Sequence, residues 1–201
     1  MPRKTSGSTP PRDQEPTLAF GSQEELVAWL ERNHADSAGI WLRIARKDSG
    51  QRSVSYADAL EAALCFGWID GQKRPSDDSW WLQRFTPRKP RSVWSKVNRE
   101  KAQALIAAGR MRPAGLEQVE RARADGRWQA AYDSQSRAEV PPDLQAALDA
   151  SPAAAAFFRT LNAANRYAIL YRLQSARKPE TRARRLRSFV EMLERGETIY
   201  P

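Results

Sequence analysis

One cysteine and one histidine in 201 residues remove whole classes of chemistry from the outset. Cys65 alone can form neither an internal disulfide nor a thiolate zinc cluster, and His34 alone leaves no histidine-rich metal site and few of the usual nucleophile–base pairings. Long apolar runs are missing too. No stretch approaches the ~20 residues needed to cross a bilayer, and the first sixteen residues, MPRKTSGSTPPRDQEP, contain no apolar region of the kind a secretion signal carries. The expectation is a cytoplasmic chain. Glycine-rich phosphate loops are also absent, since Gly67 and Gly71 do not make a dinucleotide fingerprint, and there is no helix-turn-helix, RNA-recognition or zinc-finger pattern. None of these patterns calls for a cofactor or a metal.

What is present is a foldable, strongly basic chain. Apolar residues make up 41% and include seven Trp, enough for one good core or two small ones. The net charge of +9 is unevenly spread: residues 17–70 carry five cations and eight anions, whereas residues 71–139 carry fifteen and eight. A basic balance of this kind favours association with nucleic acid, acidic membranes or acidic proteins, without bearing on the fold.

Residues 1–17 are rich in Pro, Ser, Thr and charge and too poor in apolar groups to offset their ordering entropy, so a disordered tail is expected there. Ser22 with Glu25 reads as a capping box ahead of Leu26, Trp29 and Leu30 at helical spacing, with His34 placed to meet the helix C-terminus. Ile40, Leu42 and Ile44 alternate with Trp41, Arg43 and Ala45 as in a half-buried strand. Ser55 with Asp58 opens a second helix that Gly67 closes as a left-handed cap. Residues 68–74 and 79–86 flank the turn composition Pro75-Ser76-Asp77-Asp78 and read as a hairpin. From Asn98 onward the pattern is helical, ending in a long helix from about Pro179 to Glu194. The expected fold class is α+β: a small N-terminal α+β part with a short antiparallel sheet over residues 18–135, then a helical part over 136–201.

Four segments, SYADALEAALCFGWIDGQKRP, WWLQRFTPRKPRSVWSKVNREKAQALIAAGRM, GRWQAAYD and NRYAILYRLQSARKPETRARRLRSFVEMLERG, in that order, resemble the YdeI/OmpD-associated family, also called bacteriocin-protection proteins. The resemblance covers roughly residues 18–200. It implies an association with a porin or with bacteriocin resistance, and it names no molecular activity.

The densest candidate surface lies between residues 71 and 101, where nine cations against three anions are interleaved with Trp80, Trp81, Phe85 and Trp94. Arginine offers forked donors to phosphate or carboxylate and an exposed aromatic offers a stacking face; the alternative is core Trp residues with solvated Arg around them. The candidate ligand-binding residues are Trp68, Asp70, Lys73, Arg74, Arg88, Trp94, Ser95, Lys96 and Asn98. Asp70 is the one catalytic candidate, as a general base; its alternatives are a metal ligand with Asp77 and Asp78, a partner for Arg88, and a turn role before Gly71. Cys65, at an apolar helix end, reads as structural. The basic run Arg177–Arg187 falls largely opposite the apolar stripe of its helix and reads as a solvated face, with a phosphate-contacting face as the alternative. The reading is a protein that binds an anionic small molecule, nucleic acid or acidic protein. The alternatives are an enzyme on a small phosphorylated or carboxylated substrate, with Asp70 as base and Arg88 and Lys96 as anion clamps, and an adaptor in envelope stress. The sequence does not fix the oligomeric state.

Overall fold

The computed structural model describes residues 15–201, so the expected tail lies outside the described residues as far as residue 14. The chain forms two compact units: one built from the chain up to Ser92 together with Glu100–Gly126, the other from Val93–Arg99 together with Arg127–Pro201. The sequence-based division at residue 135 can be set beside this one, which takes a seven-residue segment ahead of Glu100 into the second unit.

The first unit is α+β. Its elements are β1 (Thr17–Ala19), α1 (Gln23–Asn33), β2 (Ile40–Ala45), α2 (Tyr56–Cys65), β3 (Trp68–Pro75), β4 (Trp80–Pro87), the part of α3 (Lys96–Ala107) from Glu100 onward, and α4 (Pro113–Ala124). The sheet has four strands in the order β1-β2-β4-β3. It is mixed where an antiparallel one was expected, because β1, only three residues long and too short to show a period, pairs parallel to β2. The β2–β4 and β3–β4 pairs are antiparallel.

Local chemistry sets the helix ends. The Ser22 hydroxyl accepts from the Glu25 N–H at 3.4 Å while Glu25 returns to the Gly21 N–H at 2.7 Å, and Ser55 accepts from Asp58 N–H at 3.1 Å. His34 caps α1, its Nδ1 2.9 Å from the Leu30 carbonyl. Gly67 ends α2 with φ 74°, and a Cβ there would sit 2.8 Å from the Ala114 carbonyl oxygen, so both the turn and the close approach of α4 require glycine. Cys65 is 6% exposed and burial pushes its thiol pKa up, which makes it a packing residue.

The second unit is mostly helical: α5 (Pro142–Ala150), α6 (Pro152–Thr160), α7 (Ala163–Gln174) and α8 (Pro179–Glu194). Leu144, Leu148, Phe158, Ile169, Leu173 and Leu193 form its core. Trp94 and Trp128 meet edge to face at 4.9 Å, and the Trp94–Lys96 backbone pairs with Tyr132. No helix among the described residues is long and apolar enough to cross a membrane.

Candidate functional site: a cationic and aromatic hairpin

The register of β3 against β4 determines which side chains share a face. Asp70 is opposite Phe85, but Lys73 rather than Gln72 is opposite Gln83, so one extra residue is accommodated between Asp70 and Lys73. This bulge carries Lys73 to the same face as Asp70, where strict alternation would have put it on the other. The buried Gln83 side chain holds the bulge, its Nε2 donating to the Gly71 carbonyl at 3.0 Å and the Gln72 carbonyl at 3.3 Å.

On the face shared by Ile40, Leu42 and Ile44, four side chains cluster. The Tyr56 hydroxyl, at the start of α2, donates to Asp70 at 2.8 Å, the Tyr56 ring lies 6.0 Å from that of Trp81, and the Lys73 ammonium sits 4.6 Å above the Trp81 ring. Beside them an open cleft of about 460 Å³ is lined by Tyr56 and Trp81 together with the loop that follows β2.

The opposite face carries Trp41, Arg43, Trp80, Leu82 and Arg84, joined by Arg74 opposite Leu82. The Arg74 guanidinium stacks on Trp41 at 3.9 Å and Arg43 on Trp80 at 4.7 Å. Arg43 also pairs with Asp77 at 3.1 Å, and Arg84 with the buried Glu15. Asp77 closes the hairpin turn by accepting from the Ser79 and Trp80 N–H groups, which holds its carboxyl below the usual carboxylate range. Among the described residues neither Lys73 nor Arg74 has a carboxylate partner, and both are exposed.

The nine candidate ligand-binding residues fall in different surroundings. Asp70 and Lys73 share one face of the hairpin and Arg74 takes the other. Trp68 is 1% exposed and donates to the His34 carbonyl, so its ring presents no open face. Arg88 is 6% exposed, with its N–H on the Gly67 carbonyl. The other four belong to the second unit. There Trp94 is 1% exposed, Ser95 caps α3 through the buried Asn98 N–H, and the Lys96 ammonium pairs with Asp133 at 2.8 Å. Sequence reasoning passed over Trp41, Tyr56 and Gln83. The alternation in β2 placed Trp41 opposite the apolar stripe, and that was the available signal.

Residues 18–118, half of the chain, match the model of a domain of unknown function (DUF8412), and the chain belongs to that family. Residues 137–196 match the model described as bacteriocin-protection, YdeI or OmpD-associated. The resemblance read over residues 18–200 is thus shown over residues 137–196, while the segments quoted from residues 55–111 fall in the other match and residues 126–133 in neither. No curated protein and no solved structure matches the chain.

Proposed function

We propose that this protein acts by binding an anionic ligand, with a single strand of nucleic acid as the class that suits it best, through hairpin β3–β4 and the adjoining Arg43 of β2, with the buried Trp41 supporting Arg74 from beneath. The observation that carries the reading is the pair Lys73 and Arg74: two exposed cations, one on each face of the hairpin, each held over an indole ring, neither with a carboxylate partner among the described residues. A cation fixed on a ring has already lost much of its side-chain freedom, so it meets a phosphate at lower entropic cost than a mobile surface lysine. The excess of cations over anions in residues 71–139 adds a longer-range attraction. A working place in the cytoplasm belongs to the same proposal, and cell fractionation tests it.

Titration of the full chain with a fluorescently labelled oligothymidylate tests the reading. The double variant Lys73→Gln/Arg74→Gln should weaken binding by about tenfold or more, while Arg184→Gln on α8 should change it by less than about threefold. Equal losses for the two variants would mean that the attraction is diffuse and that the hairpin is no site.

The enzyme reading is favoured by one observation, the hydrogen bond from Tyr56 to Asp70 beside Lys73. A carboxylate that accepts from a phenol lining a cleft, on the same sheet face as a lysine, is placed to take up a proton. If it does so, Asp70→Asn abolishes turnover while leaving oligonucleotide affinity in place.

A further inference from the structure

The second unit contains a cleft of about 380 Å³ that the proposed hairpin site does not use. It is lined by Asp133 and residues 137–142 of the segment that leads into α5, by Leu170 and Gln174 of α7, by Arg182 of α8 and by Lys96. Several hydrogen bonds make the rim rigid. Gln174 accepts from the Asp133 N–H at 3.1 Å and donates to its carboxylate at 2.9 Å, and the Tyr167 hydroxyl donates to the Asp133 carbonyl at 2.8 Å. Lys96 completes the arrangement by its ion pair with Asp133.

Two groups in this cleft are left with unused capacity. Arg182 is fixed from behind, its Nε and one Nη donating to Asp143 at 2.7 and 2.8 Å and its other Nη to the Leu173 carbonyl at 2.7 Å. These three bonds occupy three of its five N–H donors, so each Nη retains one N–H with no partner among the described residues. Glu139 is exposed on the rim and makes no hydrogen bond or ion pair with any described residue. The guanidinium with donors to spare and the unpaired carboxylate line the same cleft as the apolar surfaces of Ala138, Val140, Pro141 and Leu170, with Lys96 and Arg137 as its other cations.

We infer that this cleft binds a free α-amino acid with an apolar side chain. The carboxylate of the ligand meets the open N–H groups of Arg182, its ammonium meets Glu139, and its side chain lies against Val140 and Leu170. The arrangement discriminates by charge in both directions. A plain carboxylic acid leaves Glu139 without a cation and brings like charges together, and an amine without a carboxylate leaves the Arg182 donors unused. Because every group involved lies in the second unit, the inference stands independently of the hairpin reading.

Calorimetry and amide chemical-shift mapping of the full chain with L-leucine, N-acetyl-L-leucine and L-leucinamide test it. L-leucine should bind, with shifts at Glu139, Val140, Leu170 and Arg182. Both blocked analogues should bind at least about tenfold more weakly, matching the loss of one charged hydrogen-bond partner. Glu139→Gln, an exposed rim substitution that should leave folding intact, should weaken L-leucine by a similar factor and leave N-acetyl-L-leucine no weaker, or tighter as the like-charge repulsion is relieved. Absence of L-leucine binding, N-acetyl-L-leucine binding as tightly as L-leucine, or an unaffected Glu139→Gln variant would each overturn the proposal.

Discussion

At the scale of single residues, the hairpin depends on placements that residue type alone does not disclose. Lys73 reaches the face of Asp70 because of a bulge, and that bulge depends on Gln83, whose amide satisfies two carbonyls that the ladder leaves out. Gln83→Leu should therefore cost about 0.5–1.5 kcal/mol, the net worth of such hydrogen bonds to exposed carbonyls, and should reduce ligand affinity by letting Lys73 swing off Trp81. Urea unfolding paired with the oligonucleotide titration reads both effects. In the second unit, desolvation first, then the neighbouring Tyr132 and Tyr171, push the Tyr167 phenol up to about 12. Its unfolded value is about 10. The folded state favours the neutral phenol, so this contribution to stability is intact below about pH 10 and is lost as the pH rises toward 12. Tyr167→Phe should flatten the alkaline fall of the melting temperature in that range. At the acid end, the Arg182 guanidinium holds the Asp143 carboxyl below its ordinary range. That contribution is present above about pH 4 and disappears as acid protonates Asp143, more steeply than in an Asp143→Asn variant.

At the scale of elements, much was legible because local chemistry governed it. Ser22 with Glu25, Ser55 with Asp58, the glycine at 67, and the Pro179 start and Glu194 stop of α8 are signals contained in a few adjacent residues, and the structure has them where the pattern put them. The hairpin was legible for the same reason, with Asp77 anchoring the turn. Strand β1 was not, since three residues are too few to show a period and its partner is more than twenty residues away. Exposure was not legible either. Trp68 and Trp94 have the composition of stacking residues, yet each is 1% exposed, because burial is decided by distant packing partners such as Trp29 and Trp128. Helix α4 illustrates such packing: a Cβ on Gly115 would lie 2.8 Å from the Leu64 carbonyl oxygen, at the end of α2. Gly115→Ala should destabilise the first unit by about 1–3 kcal/mol through overpacking, seen as a lower urea midpoint with an unchanged slope.

At the scale of the whole molecule, the account assigns ligand attraction to charge placed on one hairpin rather than to the net charge of +9. Any binding of single strands should weaken with salt, log K falling by about 0.7 per neutralised phosphate against log salt, because no base-reading pattern accompanies the cations. Salt dependence alone does not separate a defined hairpin from general basicity, since α8 carries its own run of arginines. Location does. The most direct measurement is amide and tryptophan indole chemical-shift mapping of the full chain during titration with a short oligothymidylate. The account predicts that the largest shifts fall on Trp41, Arg43, Lys73, Arg74, Trp80 and Trp81, with α8 nearly unmoved. Shifts concentrated on Arg182–Arg187, with the hairpin silent, would contradict it.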